Sequence, residues 1–332
     1  MGLAVLVLAG GLWPRGGSDR AHHRVMPVRG CLALATLLLV ACASPRGPAV
    51  QSPTAAVTGV SPAPVPATPS PTPPPAPTPT PTPTPTSRPL VPVPAEDASA
   101  LAAQLEAAER TIRDPSARAE DLAWSGHLQQ LVYRRLVDRP ALRAPLLAAL
   151  PAELRAVAAA NADAGIDLRA LVTPREKQDL PRWRIIEPAP VDELLRYYQE
   201  ADAEFGIPWS YLAAIHLIET RMGRIRGTSV AGAQGPMQFM PATWAAFGQG
   251  DINSDRDSIR AAARYLRSNG APANLENALF RYNNSQRYVR AVTAYAEIMR
   301  SESLTLRGYY AWQVYYLTTQ GDVLLPVGYR RD

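Results

Sequence analysis

In the stretch AAIHLIETRMG, residues 213–223, one carboxylate stands among apolar side chains. If the run is helical, Leu212, Ile215, His216, Glu219 and Met222 share a face, because side chains three and four positions apart stack along a helix. Gly223 is the expected terminator, which sets Glu219 in the last turns, near the negative end of the helix dipole. Apolar neighbours and the dipole both disfavour ionisation, so the carboxyl pKa is expected to rise. A carboxyl that keeps its proton near neutral pH is a general acid, the group needed to protonate a leaving oxygen as a glycosidic bond breaks. The competing reading is a surface ion pair with Arg221, Arg224 or Arg226.

Downstream, GTSVAGAQGPMQFMPATW holds the spacing Ser229-x-x-Gly232-Ala233-x-Gly235-x-Met237-Gln238. Its small residues permit close backbone approach, and Gln238 offers both a donor and an acceptor. A sugar-binding groove needs such groups. Glu219-Thr220-Arg221 with a glycine close behind, Gln238-Phe239-Met240-Pro241 and Arg281-Tyr282-Asn283-Asn284-Ser285 follow in order along the chain.

From about Asp192 to Arg300 the sequence resembles the lytic murein transglycosylases, and among them the membrane-bound B type, which are lipoproteins. The resemblance implies a goose-lysozyme-like domain with Glu219 as its catalytic acid. It implies that Glu219 protonates the oxygen between N-acetylmuramic acid and N-acetylglucosamine, that the 2-acetamido group assists, and that Glu219 then takes the proton of the 6-hydroxyl. A 1,6-anhydro ring results, without water. Substrate contacts carry over to Ser229 and Gln238, with Gly235, Met237 and Phe239 in the same segment, and substrate orientation to Tyr282 and Asn283. Duller readings stand beside these: Tyr282, Met237 and Phe239 as core, Asn283 as a helix C-cap, and His216 as a packed neighbour of Glu219 rather than a second base.

The sequence also departs from the B-type pattern. Nine residues separate Glu219 from Ser229, where B-type members carry a longer insertion, so a more open groove is expected. Some relatives hold calcium where this chain reads GDINSDRDSIRAA, but the glycine and glutamate that complete an EF-hand loop are missing. Asp251, Asn253 and Asp255 are read as a turn into a helix capped near Asp255, with no metal and no cofactor assigned. A retaining hydrolase uses a second carboxylate, for which Asp251, Asp255 and Asp257 are the nearby candidates. A lysozyme-like muramidase and a catalytically silent peptidoglycan-binding scaffold therefore remain as alternatives.

The elements that position these residues are mainly α. Helix-like stretches separated at Asp114-Pro115, Arg139-Pro140 and Pro151 make residues 96–186 a small helical region without a chemistry-bearing cluster; His127 is read as a packing residue. Residues 187–300 form the catalytic domain, in which VDELLRYYQEADAEFG ends at Gly206 and Pro208 opens the helix of Glu219. In the tail, residues 301–332, WQVYYLT and DVLLP flank Thr319-Gln320-Gly321, which suggests a short β-hairpin that packs on the catalytic domain, the favoured reading, or adds a substrate-binding edge.

The N-terminal third has a different character. CLALATLLLVA before Cys42 reads as a lipoprotein signal peptide, residues 1–41, with Met26 as the expected start and Cys42 as the lipidated residue. A lipid anchor facing the extracytoplasmic side, in periplasm or wall, follows from that reading. Nineteen of the 34 prolines fall between Pro45 and Pro94, so residues 42–95 read as a disordered linker that reaches on the order of 150 Å in polyproline II geometry. With Cys31 removed and Cys42 blocked, thiol chemistry, disulfides and cysteine metal sites are excluded. The 34 basic and 29 acidic residues come close to balance once the signal peptide's four arginines and one aspartate are gone, so nucleic acid gains no support as a partner.

Overall fold

The computed structural model describes residues 88–331. The expected signal peptide, Cys42 and most of the segment read as a proline-rich linker lie outside the described residues. The last part of that linker, residues 88–95, is anchored rather than free-running. The Arg88 guanidinium lies 4.7 Å from the Trp124 ring centroid, Trp124 Nε1 donates to the Pro89 carbonyl, and Gln104 bonds both Val93 and Ala95 backbone groups.

The described residues fold mainly as helices: α1 (Ala98–Arg113), α2 (Ala119–Asp138), α3 (Arg143–Ala149), α4 (Ala152–Arg169), α5 (Val191–Phe205), α6 (Trp209–Thr220), α7 (Pro241–Phe247), α8 (Asp255–Ser268), α9 (Leu275–Asn283), α10 (Gln286–Ser301) and α11 (Thr305–Tyr310). Two small antiparallel pairs complete the fold. Strands β1 (Arg184–Ile185) and β2 (Ile225–Arg226) pair Ile185 with Ile225, and the hairpin β3 (Val314–Thr318) and β4 (Gly321–Leu325) turns at Thr319 and Gln320. The hairpin's Val314 and Leu325 join Trp183, Ile185 and Ile225 in a small apolar cluster of their own.

At the centre lies α6. Every residue from Ser210 to Thr220 is buried, so this helix has no solvent face and its single apolar stripe is an expectation the structure replaces with burial all round. It packs against α5, α8 and α10, and α10 packs in turn on α4. The main core is therefore continuous from α1 through α10. Ion pairs reinforce the α4–α10 seam: Asp167 accepts from Arg287 at 3.0 Å and from Arg290 at 2.8 and 2.6 Å.

Local sequence explains how α6 is delivered. Gly206 ends α5 at φ 67°, a left-handed conformation that costs glycine little. Asp202 on the last turn of α5 accepts the Trp209 N–H at 2.9 Å, which satisfies a donor that Pro208, lacking a capping side chain, leaves open.

Candidate active site

Glu219 is the next-to-last residue of α6 and is fully buried. The helix ends one residue later than Glu219, at Thr220, and its cap is Arg221 rather than Gly223. Arg221, Met222 and Gly223 all have positive φ, 54°, 56° and 85°. Two consecutive non-glycine residues in this region are costly and persist only where the surroundings hold them. Here Arg221 Nη1 donates to the Leu217 carbonyl, the Met222 N–H reaches the His216 carbonyl, and the Thr220 hydroxyl both donates to the Pro236 carbonyl at 2.6 Å and accepts from Gly223. The turn is thereby tied to the loop that carries Gly235 and Gln238.

One oxygen of Glu219 accepts a hydrogen bond from the Tyr288 hydroxyl at 2.8 Å, and the other, equally buried, has no partner among the described residues. Burial raises the Glu219 pKa from an ordinary 4.5 to about 8, against the opposing pull of the Tyr288 donor. None of the three arginines considered as ion-pair partners meets it. Arg221 lies by Trp312, Arg224 bonds Glu187 and the Tyr310 carbonyl, and Arg226 bonds Asp255 and the Asn253 carbonyl.

The downstream loop is folded tightly beside this carboxyl. Gln234 and Phe239 form an isolated antiparallel bridge, and Gly235 turns between them at φ 74° with the Ile252 carbonyl so close that an added Cβ would sit 2.1 Å from it. Gln238 is held at φ 51° and fully buried; its Nε2 donates to the Gly235 carbonyl, leaving the buried Oε1 without a partner. Ser229 opens the loop, its hydroxyl accepting from the Ala233 N–H at 3.0 Å. Met237 and Phe239 are fully buried, and Phe239 packs edge-on against Trp244 and Tyr282. Their side chains belong to the core, and what Met237 gives the site is its carbonyl, which accepts from the Tyr282 hydroxyl at 2.8 Å.

Tyr282 is buried in α9 and lies parallel to Tyr288, ring centroids 6.3 Å apart and planes 4° apart. Asn283 is the last residue of α9 and half-buried, while the left-handed cap is the next residue, Asn284, at φ 50°. Tyr288, the one hydrogen-bond partner of the Glu219 carboxyl among the described residues, is absent from the residues the sequence singles out. The available signal is its place on the buried stripe of α10, with Val292 and Tyr295, a pattern that marks core as readily as a site.

Of the remaining titratable neighbours, Asp255 is engaged and His216 is hydrogen-bonded through one ring nitrogen, its Nε2 having no hydrogen-bond partner among the described residues. His216 Nδ1 lies 2.8 Å from the Tyr198 hydroxyl, and its Nε2 stands 3.5 Å from Asp255, longer than a well-formed hydrogen bond. Burial pushes the Asp255 carboxyl up, but His216 and Arg226 outweigh it and hold the group below the usual carboxylate range. The helix after the turn is capped by Ser254, whose hydroxyl accepts from Asp257; Asp257 accepts the Asp251 N–H, and Asp251 accepts from Asn253. His127 is buried, 2.8 Å from the Tyr315 hydroxyl, and burial lowers its pKa to about 4, so it is a neutral packing residue.

A buried carboxyl on a helix end, a tyrosine donor and a tight Gly-Gln loop therefore lie within one segment of the chain, and that segment matches a known family. Residues 196–303 match the transglycosylase SLT domain. The SLT domain runs from α5 to the start of the tail and contains every site residue named above. It supports a lysozyme-like fold, peptidoglycan as substrate and degradation of the lytic transglycosylase type. Comparisons with curated proteins and with solved structures return no match.

Proposed function

We propose that this protein is a peptidoglycan lytic transglycosylase that cleaves the bond between N-acetylmuramic acid and N-acetylglucosamine and leaves a 1,6-anhydro end, with Glu219 as acid and then base. The observation that carries the reading is the Glu219 carboxyl: fully buried, protonated up to about pH 8, with one oxygen fixed by Tyr288 and the other unpartnered. Once substrate reaches this buried carboxyl, its proton passes to the glycosidic oxygen. As the bond breaks, positive charge grows at the anomeric carbon and the sugar's own 2-acetamido oxygen attacks it. Glu219, now ionised in a setting that disfavours its charge, recovers a proton from the 6-hydroxyl as O6 displaces the acetamido group. The Tyr288 hydroxyl stabilises the carboxylate between the two transfers.

The carboxylates nearby in sequence support this route over hydrolysis. Asp255 is bonded to Arg226, and Asp251 and Asp257 are spent in the turn before α8. The buried Gln238 Oε1, which has no partner among the described residues, would accept from a sugar amide or hydroxyl once the loop opens to substrate. Lipidation at Cys42 would hold the enzyme on the extracytoplasmic face of a membrane, with the proline-rich segment as its tether to the wall. Among the described residues no helix is long and apolar enough to cross a membrane.

Digestion of purified peptidoglycan by the mature protein, followed by mass spectrometry, tests the reading. Anhydromuramyl ends that disappear with Glu219→Gln, by a factor of 10³ or more for loss of the proton donor, are expected. Reducing ends that have gained water would make it a muramidase.

A further inference from the structure

A cavity lies between α2, α4, α10 and the β3 strand, apart from the Glu219 carboxyl, with about 650 Å³ of empty space counted out to its mouth. Arg221, two residues beyond Glu219, points into it. The residue is 93% buried, its Nη1 donates to Leu217, and its Nε has no partner among the described residues. Among the described residues no acidic group pairs with it there. Burial lowers its pKa only to about 10, so the charge persists at neutral pH. A buried cation without a counter-ion is costly, and the face of Trp312 6.0 Å away offsets only part of that cost.

Two further donors converge on the same space. Arg134 lies over the Tyr315 ring and pairs with Asp322, and its field acts on both Arg221 and Tyr295. The Tyr295 hydroxyl, near Arg221, makes no hydrogen bond among the described residues although the residue is 98% buried. Gln130 and Asn161 also line the cavity, but their amides are already bonded to Gln313, Val157 and Tyr309. What is left unsatisfied is one guanidinium and one phenol, set among Trp312, Leu168 and Val172.

We propose that this cavity binds an organic monocarboxylate, its two oxygens on Arg221 and the Tyr295 hydroxyl and its carbon skeleton against Trp312, Leu168 and Val172. A planar fork of donors matches a carboxylate. Apolar walls favour an organic tail over an inorganic anion, and Asp322 beside Arg134 opposes a second negative charge. The site does not depend on Glu219 or on the reaction assigned to it. The carboxylate is either that of a free small acid or the C-terminus of a peptide.

Binding is read by fluorine and proton NMR on the full mature protein with 4-fluorobenzoate, with acetyl-alanyl-alanine and its C-terminal amide, and with inorganic phosphate. Expected is saturable binding of at least one carboxylate, at least tenfold weaker binding of the amide and of phosphate, and no effect of Glu219→Gln. Tighter binding of the dipeptide identifies a peptide terminus as the source; tighter binding of the benzoate identifies a free acid. Tyr295→Phe removes a hydroxyl that holds nothing in the unliganded protein, so it should keep the melting temperature and weaken binding about tenfold. Arg221→Gln should abolish binding, with circular dichroism to check the fold. The proposal is overturned if no carboxylate binds at 10 mM, if acid and amide or phosphate bind alike, or if Tyr295→Phe leaves affinity unchanged.

Discussion

Glu219 is a carboxyl whose environment works against its charge, and the cost should be visible in stability as well as in chemistry. Its pKa is about 8 in the folded protein against an ordinary 4.5. Between those values the folded state holds a proton that the unfolded chain has released, so folding is favoured toward low pH. The contribution is complete below 4.5 and lost as pH rises through 8, a swing of roughly 5 kcal/mol at about 1.4 kcal/mol per unit. Glu219→Gln keeps the shape and removes the titration. Urea unfolding of the two proteins should therefore give similar stabilities at pH 4.5 and a variant more stable by a few kcal/mol at pH 9; parallel stability curves across that range would contradict the buried, uncharged carboxyl. On the proposed function, an acid that destabilises its own fold is the expected trade between stability and function. Tyr288 moderates it by stabilising the ionised form, the form that the proposed second proton transfer would need.

At the scale of elements, the loop from Ser229 to Met240 matters as much as the helix that carries the acid. Gly235 is where its geometry is least forgiving, because φ is 74° and the Ile252 carbonyl occupies the place of a Cβ. Gly235→Ala should cost at least 3 kcal/mol, combining left-handed strain of about 1 kcal/mol with displacement of the Ile252 backbone, and should move Gln238 with it. A fall in melting temperature of more than 10 °C with reduced release of glycan fragments is expected, and a variant melting within 2 °C of the parent would show that the loop yields. This element was legible in the sequence, since glycine, alanine and glutamine at fixed offsets report backbone constraints that are local. The hairpin was legible for the same reason: Thr319-Gln320-Gly321 between β-branched and aromatic runs is a local turn. The end of α6 was not, because Arg221 and Met222 are poor left-handed residues by type, and only the tertiary bonds of Thr220, Arg221 and Met222 hold them there. Tyr288 was hidden similarly, since its bond to Glu219 joins helices 69 residues apart and no periodicity reports such a pairing.

For the whole molecule, the question is whether the SLT domain stands alone. The family match stops at residue 303 and begins at 196, yet α10, which supplies Tyr288, is packed between α6 inside the match and α4 outside it. The helices before residue 187 also complete the polar interior. Asn161 accepts from the buried Tyr309 hydroxyl, Gln129 accepts from Trp312, and His127 meets Tyr315. Removing α1–α4 would expose the outer side of α10 and strand buried donors that cost on the order of 1–3 kcal/mol each when unpaired, against a total stability of only about 5–15 kcal/mol for a domain. Residues 187–332 expressed alone should therefore lack a cooperative thermal transition and show the poorly dispersed amide spectrum of a loosely packed chain, whereas residues 88–332 should melt once, with circular dichroism and tyrosine fluorescence coinciding. Two separate transitions in the longer chain, or a cooperative melt of the shorter one within a few degrees of it, would mean that the helices before residue 187 are an attached neighbour and that the Glu219–Tyr288 pair is assembled by the SLT domain without them.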